Sequence, residues 1–210
     1  KIIITGDFEG NFTFGDTTIS GVGQNHGNMF LGKYDNSGNH IWVNYAIDRV
    51  MPIDVSTDNN NQIFITGSFE GDAQFGDTTL YNESRDDGFF AKYNQEGSLI
   101  WVKQISGSGY IYSTDIVTDS NDNIFLLGKY TSGTAVFDTT TLTSAGQEDS
   151  FLAKYNSSGS LIWLQSISGI GRQHHGSMTI DNSDNVIITG LFSDSTDIGG
   201  FTISNDGTSE

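Results

Sequence analysis

Three markers recur along this chain with one common spacing of about 60 residues. A glycine ends an apolar run four times, in steps of 61, 61 and 62 residues: Gly6, Gly67, Gly128 and Gly190. A tryptophan recurs in steps of 59 and 62 residues, at Trp42, Trp101 and Trp163. A Lys-Tyr pair begins nine residues before each of these tryptophans. A tandem repeat of this size indicates units that cannot bury both faces alone and therefore pack on their neighbours.

One unit, residues 114–176, contains four short apolar runs separated by polar turns. The runs cover 115–118, 124–130, 151–155 and 161–167, and a Gly/Thr-rich segment lies between the second and the third. Period-two alternation with dense turn residues is typical of antiparallel strands, and no stretch shows the 3.6-residue period of a helix. We predict an all-β fold of four-stranded antiparallel β-propeller blades. The prediction is a single segment, 1–210, with about three and a half repeats: 1–52 (partial), 53–113, 114–176 and 177–210 (partial).

Specific motifs accompany this periodicity. The pattern D-x-F-[FL]-A-K-Y-N-x-x-G-x-L-I-W-[VL]-x-x-I runs from Asp87 to Ile105 and again from Asp149 to Ile167. An apolar run with Gly near its end spans Asn61 to Phe69 and Asp122 to Tyr130, and F-G-D-T-T-L spans Phe75 to Leu80. In these motifs the chain resembles the bacterial β-propeller repeat family labelled SBBP. The resemblance implies a β-propeller, a secreted or cell-surface location in bacteria, membership of long multidomain proteins, and no catalytic residues.

The number of repeats predicts a longer parent chain. Propellers close with about 4–8 blades. The chain opens on Ile2-Ile3-Ile4, which matches the second strand of later units, and it ends at residues 205–210, beyond the second strand of its last unit. These ends duplicate a strand rather than complement each other, so we expect further blades outside this sequence.

Charge and missing motifs exclude several function classes. The net charge is −17, from 26 acidic and 9 basic residues, which would repel nucleic acid and an anionic membrane surface. No apolar run approaches the roughly 20 residues of a transmembrane helix. The hydrolase, zinc-protease and phosphate-loop motifs are missing, so we expect no enzymatic activity.

Positions that recur in every unit favour an architectural role. The three tryptophans could form a sugar-stacking platform, but their recurrence favours packing between blades. The lysines of the Lys-Tyr pairs are expected to pair with acidic groups; they are Lys33, Lys92 and Lys154.

The polar turns after the first strand of each unit allow two interpretations. Oxygen-bearing side chains alternate there in the pattern of a calcium loop; the candidate ligands are Asp119, Asn121, Asn123, Asp181, Ser183 and Asn185. The Gly and the distal Glu of an EF-hand are missing, and the same residues favour tight turns without a metal. We therefore expect no cofactor, with calcium as the alternative.

The side chains that differ most between units precede the first strand of each. We predict them to lie in loops between blades, where they could recognise a ligand; they are Arg49, Met51, Tyr110, Tyr112, Arg172, His174 and His175. Ordinary loop variation is the competing interpretation. Two functions follow: a non-enzymatic scaffold or adhesion module with a protein or glycan partner at a cell surface, or a glycan- or calcium-dependent ligand-binding propeller.

Overall fold

The computed structural model describes residues 1–21, 27–82 and 85–204, except for the side chain of His175; residues 205–210 lie outside the described residues. The described ranges contain 21 β-strands and no helix. The strands are β1 (Ile2–Phe8), β2 (Asn11–Phe14), β3 (Thr17–Ser20), β4 (Asn28–Tyr34), β5 (His40–Ile47), β6 (Val50–Thr57), β7 (Ile63–Phe69), β8 (Ala73–Phe75), β9 (Thr78–Leu80), β10 (Asp87–Tyr93), β11 (Leu99–Gly107), β12 (Ile111–Thr118), β13 (Ile124–Thr131), β14 (Thr134–Phe137), β15 (Thr140–Thr143), β16 (Glu148–Tyr155), β17 (Leu161–Ser168), β18 (Gln173–Ile180), β19 (Val186–Phe192), β20 (Ser195–Ile198) and β21 (Phe201–Ser204). The all-β prediction is confirmed.

Each complete sheet has six antiparallel strands rather than the four predicted. The second sheet has the order β6-β7-β10-β11-β14-β15 and the third β12-β13-β16-β17-β20-β21. The first sheet holds β1, β4, β5, β8 and β9, and the fourth repeat contributes the pair β18–β19. The first four strands of each complete sheet are the predicted ones. The outer two come from the following repeat, whose Gly/Thr-rich segment forms a hairpin that pairs with the preceding sheet.

This donated hairpin connects neighbouring repeats. Strand β8 pairs with β5 of the first sheet, with Ala46 opposite Phe75, while the Phe75 ring packs on Phe89 of its own repeat at 5.0 Å. The hairpin turn needs a left-handed residue, and Gly76 supplies it with φ of 58°. Asp138 takes that position in the next repeat with φ of 52°, which short polar side chains tolerate.

The recurrent glycine of the second strand is explained by a close approach of neighbouring groups. A Cβ on Gly128 would lie 2.3 Å from the Phe151 ring and 2.5 Å from the Tyr112 carbonyl oxygen. A Cβ on Gly67 would lie 2.1 Å from the Met51 carbonyl oxygen. These contacts coincide with a β-bulge in the first strand, at Pro52/Asp54 and at Ser113/Asp115. The bulge pushes the first strand against the second, where only glycine fits.

The recurrent tryptophans pack between neighbouring repeats, and two of the recurrent lysines pair with an acidic residue of their own repeat, as the sequence predicts for them. The Trp42 ring lies 3.0 Å from the position of a Cβ on Gly97 in the next repeat, and the Trp101 ring lies similarly against Gly159. Lys154 pairs with Asp119 at 3.1 Å, and Lys92 approaches Asp58 at 3.9 Å.

Carboxylates in the first strands of the repeats, β6 and β12, form a second connection between neighbouring repeats. The Asp54 carboxylate accepts a hydrogen bond from the Ile116 amide at 2.9 Å, and Asp115 accepts one from Met178 at 2.7 Å. Each bond runs from one repeat to the next at the bulge. The main apolar clusters therefore lie between neighbouring sheets, as in stacked blades.

Candidate functional site

Two tyrosines from the variable positions form an aromatic surface where the second and third repeats meet. Tyr110 ends the connection from the second sheet, and Tyr112 lies in β12. Their rings are stacked with centroids 6.3 Å apart and planes inclined by 12°. The Arg85 guanidinium lies 4.7 Å from the Tyr110 ring centroid, within cation–π range. The third repeat thus presents an aromatic surface covered on one side by a cation of the second repeat.

The hydroxyl of Tyr112 is protonated and acts as a hydrogen-bond donor. It donates a hydrogen bond of 2.8 Å to Oδ2 of Asp86, a residue of the second repeat. Burial raises the pKa of Tyr112 above its usual value, and the hydrogen bond to Asp86 raises it further. The hydroxyl therefore stays protonated throughout the physiological range, and the ring is fixed in orientation across the junction.

A charged side-chain series continues from the tyrosines to the fourth repeat. The Lys129 ammonium lies 5.6 Å from the Tyr112 ring centroid and 3.2 Å from Oε2 of Glu148. The other carboxylate oxygen of Glu148 lies 3.0 Å from Nδ1 of His174. The largely buried Glu148 thereby joins the aromatic surface to β18.

Together these side chains line an open groove of about 460 Å³. Its lining is Ile53, Tyr110, Tyr112, Thr114, Lys129, Thr131 and Glu148. Aromatic faces beside paired charges and hydroxyls are the chemistry that binds polar, uncharged surfaces such as sugars and peptides. We call this the tyrosine groove.

The other predicted site residues lie apart from the tyrosine groove. Arg49 forms an ion pair of 2.7 Å with Glu70 at the preceding junction, and Met51 is exposed in β6. Arg172 donates from Nε to the Gln147 side chain at 3.2 Å. The side chain of His175 lies outside the described residues. Of the seven predicted residues, Tyr110, Tyr112 and, through Glu148, His174 come together.

The structure corrects the predicted setting of these residues. Met51, Tyr112 and His174 lie within β6, β12 and β18, not in loops. The first strands begin at Val50, Ile111 and Gln173, a few residues before the repeat bounds expected at 53, 114 and 177. The bulge after the variable positions breaks the period-two alternation, and for that reason the sequence pattern starts each strand too late.

The candidate calcium ligands act as turn caps. Oδ1 of Asp119 accepts hydrogen bonds from the amides of Asn121 and Asn123, at 2.9 and 2.8 Å, and Oδ2 accepts one from the Asn123 side chain and contacts Lys154. Burial by itself would raise the pKa of Asp119, but the hydrogen bonds from Asn123 and Lys154 outweigh it and lower that pKa. Asp181 caps Ser183 and Asn185 in the same way. Among the described residues, no group of three or more His, Asp or Glu side chains is placed to hold a metal ion.

Lys129 is a groove residue that the sequence analysis missed. Its equivalents one residue after the recurrent glycine are Asp7, Ser68 and Leu191. A comparison of repeats extended to the second strand would have found it, because this position varies as much as the predicted ones.

Within the described ranges there is likewise no helix long and apolar enough to cross a membrane.

Comparison with known proteins identifies the repeat. The model of a β-propeller repeat, SBBP, matches residues 100–133, which cover β12, β13 and most of β11. The chain is also 30% identical over 110 residues to an "uncharacterized WD repeat-containing protein" of Acanthamoeba polyphaga mimivirus. That match covers 50% of this chain and 8% of the viral protein's length. The resemblance drawn from the sequence motifs is confirmed: the chain carries a β-propeller repeat of the SBBP type.

Proposed function

We propose that this chain is a non-enzymatic scaffold and adhesion module of a secreted or surface protein, and that it binds its partner in the tyrosine groove. The SBBP match and the stacked sheets support a repeat scaffold. The acidic surface, with a net charge of −17, favours protein or neutral glycan partners over polyanions.

The observation that carries this proposal is the convergence of variable side chains at one junction. Tyr110, Tyr112 and Lys129 replace Arg49, Met51 and Ser68 of the preceding repeat. Residues needed only for stacking recur in each repeat, whereas these differ, and they form an accessible groove with an aromatic face. A glycan could stack its apolar face on the tyrosines and bond to Lys129 and the threonine hydroxyls.

A repeat-swapped variant tests the groove. Tyr110→Arg together with Tyr112→Met introduces the residues of the second repeat, and Lys129→Ser does the same for the second strand. The matched control is Arg49→Ala with Met51→Ala at the preceding junction. Binding is measured on a glycan array and against immobilised candidate surface proteins.

We expect the swapped variant to stay folded and to lose at least about tenfold in affinity. Its Tm should fall by a few degrees, because Asp86 and Glu148 lose their partners Tyr112 and Lys129. The control should bind like the parent. Unchanged binding in the swapped variant would place the partner elsewhere. Absence of any glycan or protein partner would leave a spacer role.

A further inference from the structure

The tyrosine groove contains an ion pair that the first two repeats lack. Nζ of Lys129, in β13, donates to Oε2 of Glu148, in β16, at 3.2 Å, and both side chains line the groove. The equivalent positions of the earlier repeats hold other residues: Ser68 and Asp86 in the second, Asp7 and Gly27 in the first. Because the repeats stack without this pair elsewhere, stacking does not account for it.

The ion pair keeps hydrogen-bonding capacity for a ligand. An ammonium has three donors, and each carboxylate oxygen can accept two hydrogen bonds. Among the described residues, Glu148 is the one hydrogen-bond acceptor for the Lys129 side chain. Oε1 of Glu148 is buried, 3.0 Å from Nδ1 of His174, so Oε2 is the carboxylate oxygen that faces the groove. A donor and an acceptor therefore lie side by side there.

A charged ligand does not suit this pair. A ligand carboxylate bound by Lys129 would lie against Glu148, and a ligand ammonium bound by Glu148 would lie against Lys129, so each would meet a like charge at short range. Two adjacent hydroxyls satisfy both side chains, because one accepts from the ammonium and the other donates to the carboxylate. Adjacent hydroxyl oxygens of a sugar ring are about one hydrogen-bond length apart, which matches the 3.2 Å between Nζ and Oε2.

The apolar part of the groove fits the face of the same sugar ring. Tyr110 is 38% exposed, and Ile53, from the second repeat, is 45% exposed and lines the same groove. The C–H face of a sugar packs on such apolar and aromatic surfaces. The Lys129 ammonium lies 5.6 Å from the Tyr112 ring centroid. The aromatic and polar parts of the groove are therefore close enough to contact one sugar ring.

The backbone beside the rings favours a sugar over a peptide. The Tyr110 amide donates to Oγ1 of Thr131 at 3.1 Å, and the Tyr110 carbonyl accepts from the Thr131 amide at 3.0 Å. The Ile111 amide donates to the Asp86 carbonyl at 2.8 Å. A peptide that adds as a strand needs unpaired main-chain groups. Because these three groups are already paired, the contacts with a ligand must come from side chains, which suits a sugar.

We propose that the tyrosine groove binds a neutral sugar through two adjacent hydroxyls, which hydrogen-bond to Lys129 and Glu148 while the apolar face of the ring packs on the tyrosines. This specificity rests on the proposed function, in which the groove is the binding site. It adds the class of ligand and the two side chains that select it.

NMR titration with the methyl glycosides of glucose, galactose and mannose tests the specificity. At least one of them should bind, and its deoxy analogue lacking either of the two adjacent hydroxyls should bind at least about tenfold more weakly. An amino sugar with an ammonium in place of one of these hydroxyls should also bind more weakly than the neutral glycoside, because Lys129 repels it.

Lys129→Met should reverse this preference. The variant should bind the neutral glycoside about tenfold more weakly than the parent does, and it should prefer the amino sugar, which Glu148 then attracts. The matched control is Lys103→Met, which removes an ammonium from an exposed ion pair with Asp138 and should leave both affinities unchanged. Thermal unfolding confirms that each variant is folded.

Two results would overturn the neutral-sugar specificity alone. One is equal binding of the glycoside and all its deoxy analogues, and the other is an unchanged preference in Lys129→Met. If none of the three glycosides binds, the specificity is likewise wrong, but the groove stays the binding site if the repeat-swapped variant loses a protein partner. A glycoside that binds equally well to the repeat-swapped variant would overturn both the specificity and the groove as the site.

Discussion

Asp87 offers a direct test of how burial acts on this fold. Its side chain is 3% exposed at the start of β10, and Oδ2 accepts a hydrogen bond of 2.6 Å from the Gln104 side chain. Burial raises the pKa of Asp87 to about 6, although the hydrogen bonds from Gln104 and the Gly107 amide act against the shift. The unfolded chain should have a pKa of about 3.9 at this residue.

The sign and size of the effect follow from this difference. The folded state binds the proton more tightly, so the stability from protonation is fully present below about pH 4 and is lost as pH rises through about 6. A pKa difference of about 2 means that the ionised Asp87 lowers the free energy of unfolding at pH 7.5 by about 3 kcal/mol, relative to the protonated form below about pH 4. At pH 5 this destabilisation is about half as large.

The variant Asp87→Asn removes the buried charge with little change in shape. Asn28 occupies the equivalent buried position of the first repeat, so the fold accepts the amide there. Asparagine has one acceptor oxygen, so one donor, Gln104 or the Gly107 amide, loses its partner at a cost of about 1–3 kcal/mol. We therefore expect the stability of the variant at pH 7.5 to lie between that of the parent and about 2 kcal/mol above it, and the difference to decline by up to about 3 kcal/mol by pH 4. Urea unfolding at several pH values measures it.

Asp149→Asn is the matched control. Asp149 is fully buried and accepts hydrogen bonds from the Ala145 and Gly169 amides, at 2.7 and 3.1 Å. An amide has one acceptor oxygen, so one of these donors loses its partner, and the control should lose about 1–3 kcal/mol. A difference between the parent and Asp87→Asn that stays constant from pH 4 to 7.5 would refute the reasoning about Asp87.

Three further predictions follow from the contacts within and between repeats. Gly128→Ala places a Cβ 2.3 Å from the Phe151 ring and should lower the free energy of unfolding by about 2–4 kcal/mol. Gly71 has open space around it, so Gly71→Ala should cost only about 1 kcal/mol, which is due to its φ of 72°. Denaturant titration compares the two variants. Lys154→Met leaves the buried Asp119 without its cation and should cost about 1–3 kcal/mol, while Lys103→Met, which breaks an exposed pair with Asp138, should cost under about 1 kcal/mol. Addition of EDTA should leave Tm unchanged, because amide and ammonium groups already occupy the Asp119 carboxylate; a clear drop in Tm would show instead that a metal stabilises the native state.

The sequence predicted the strands of each unit better than their partners. The runs at 124–130 and 161–167 became β13 and β17 with little change, because period-two alternation directly reflects one buried face. The segment around Phe137 became a hairpin of the preceding sheet, which no local pattern indicates: its hydrogen-bond partner is β11, in another repeat. Periodicity identifies strands, but pairing across repeats depends on the stacking itself.

The candidate site shows the same division. Comparison of repeats singled out Tyr110 and Tyr112, which lie side by side in the structure, because the packing constraints shared by all repeats do not explain them. It did not indicate that Arg49 would form an ion pair with Glu70, nor that Lys129 and Glu148 would line the same groove as the tyrosines. Those contacts involve side chains on different strands, and their meeting depends on the bulge and on the twist between sheets.

The tyrosine groove also depends on the donated hairpins that connect neighbouring repeats. Asp86 and Arg85 belong to the second repeat, Tyr112 and Glu148 to the third, and His174 to the fourth. These groups keep their distances only if the three repeats stay stacked, and the donated hairpins β14–β15 and β20–β21 hold the second repeat to the third and the third to the fourth. Phe137 lies away from the groove lining. Because Phe137→Ala loosens the stacking of the repeats, we expect it to lower the affinity of the groove as well as the stability of the fold. If the site were formed by a single rigid repeat, the substitution would lower stability alone.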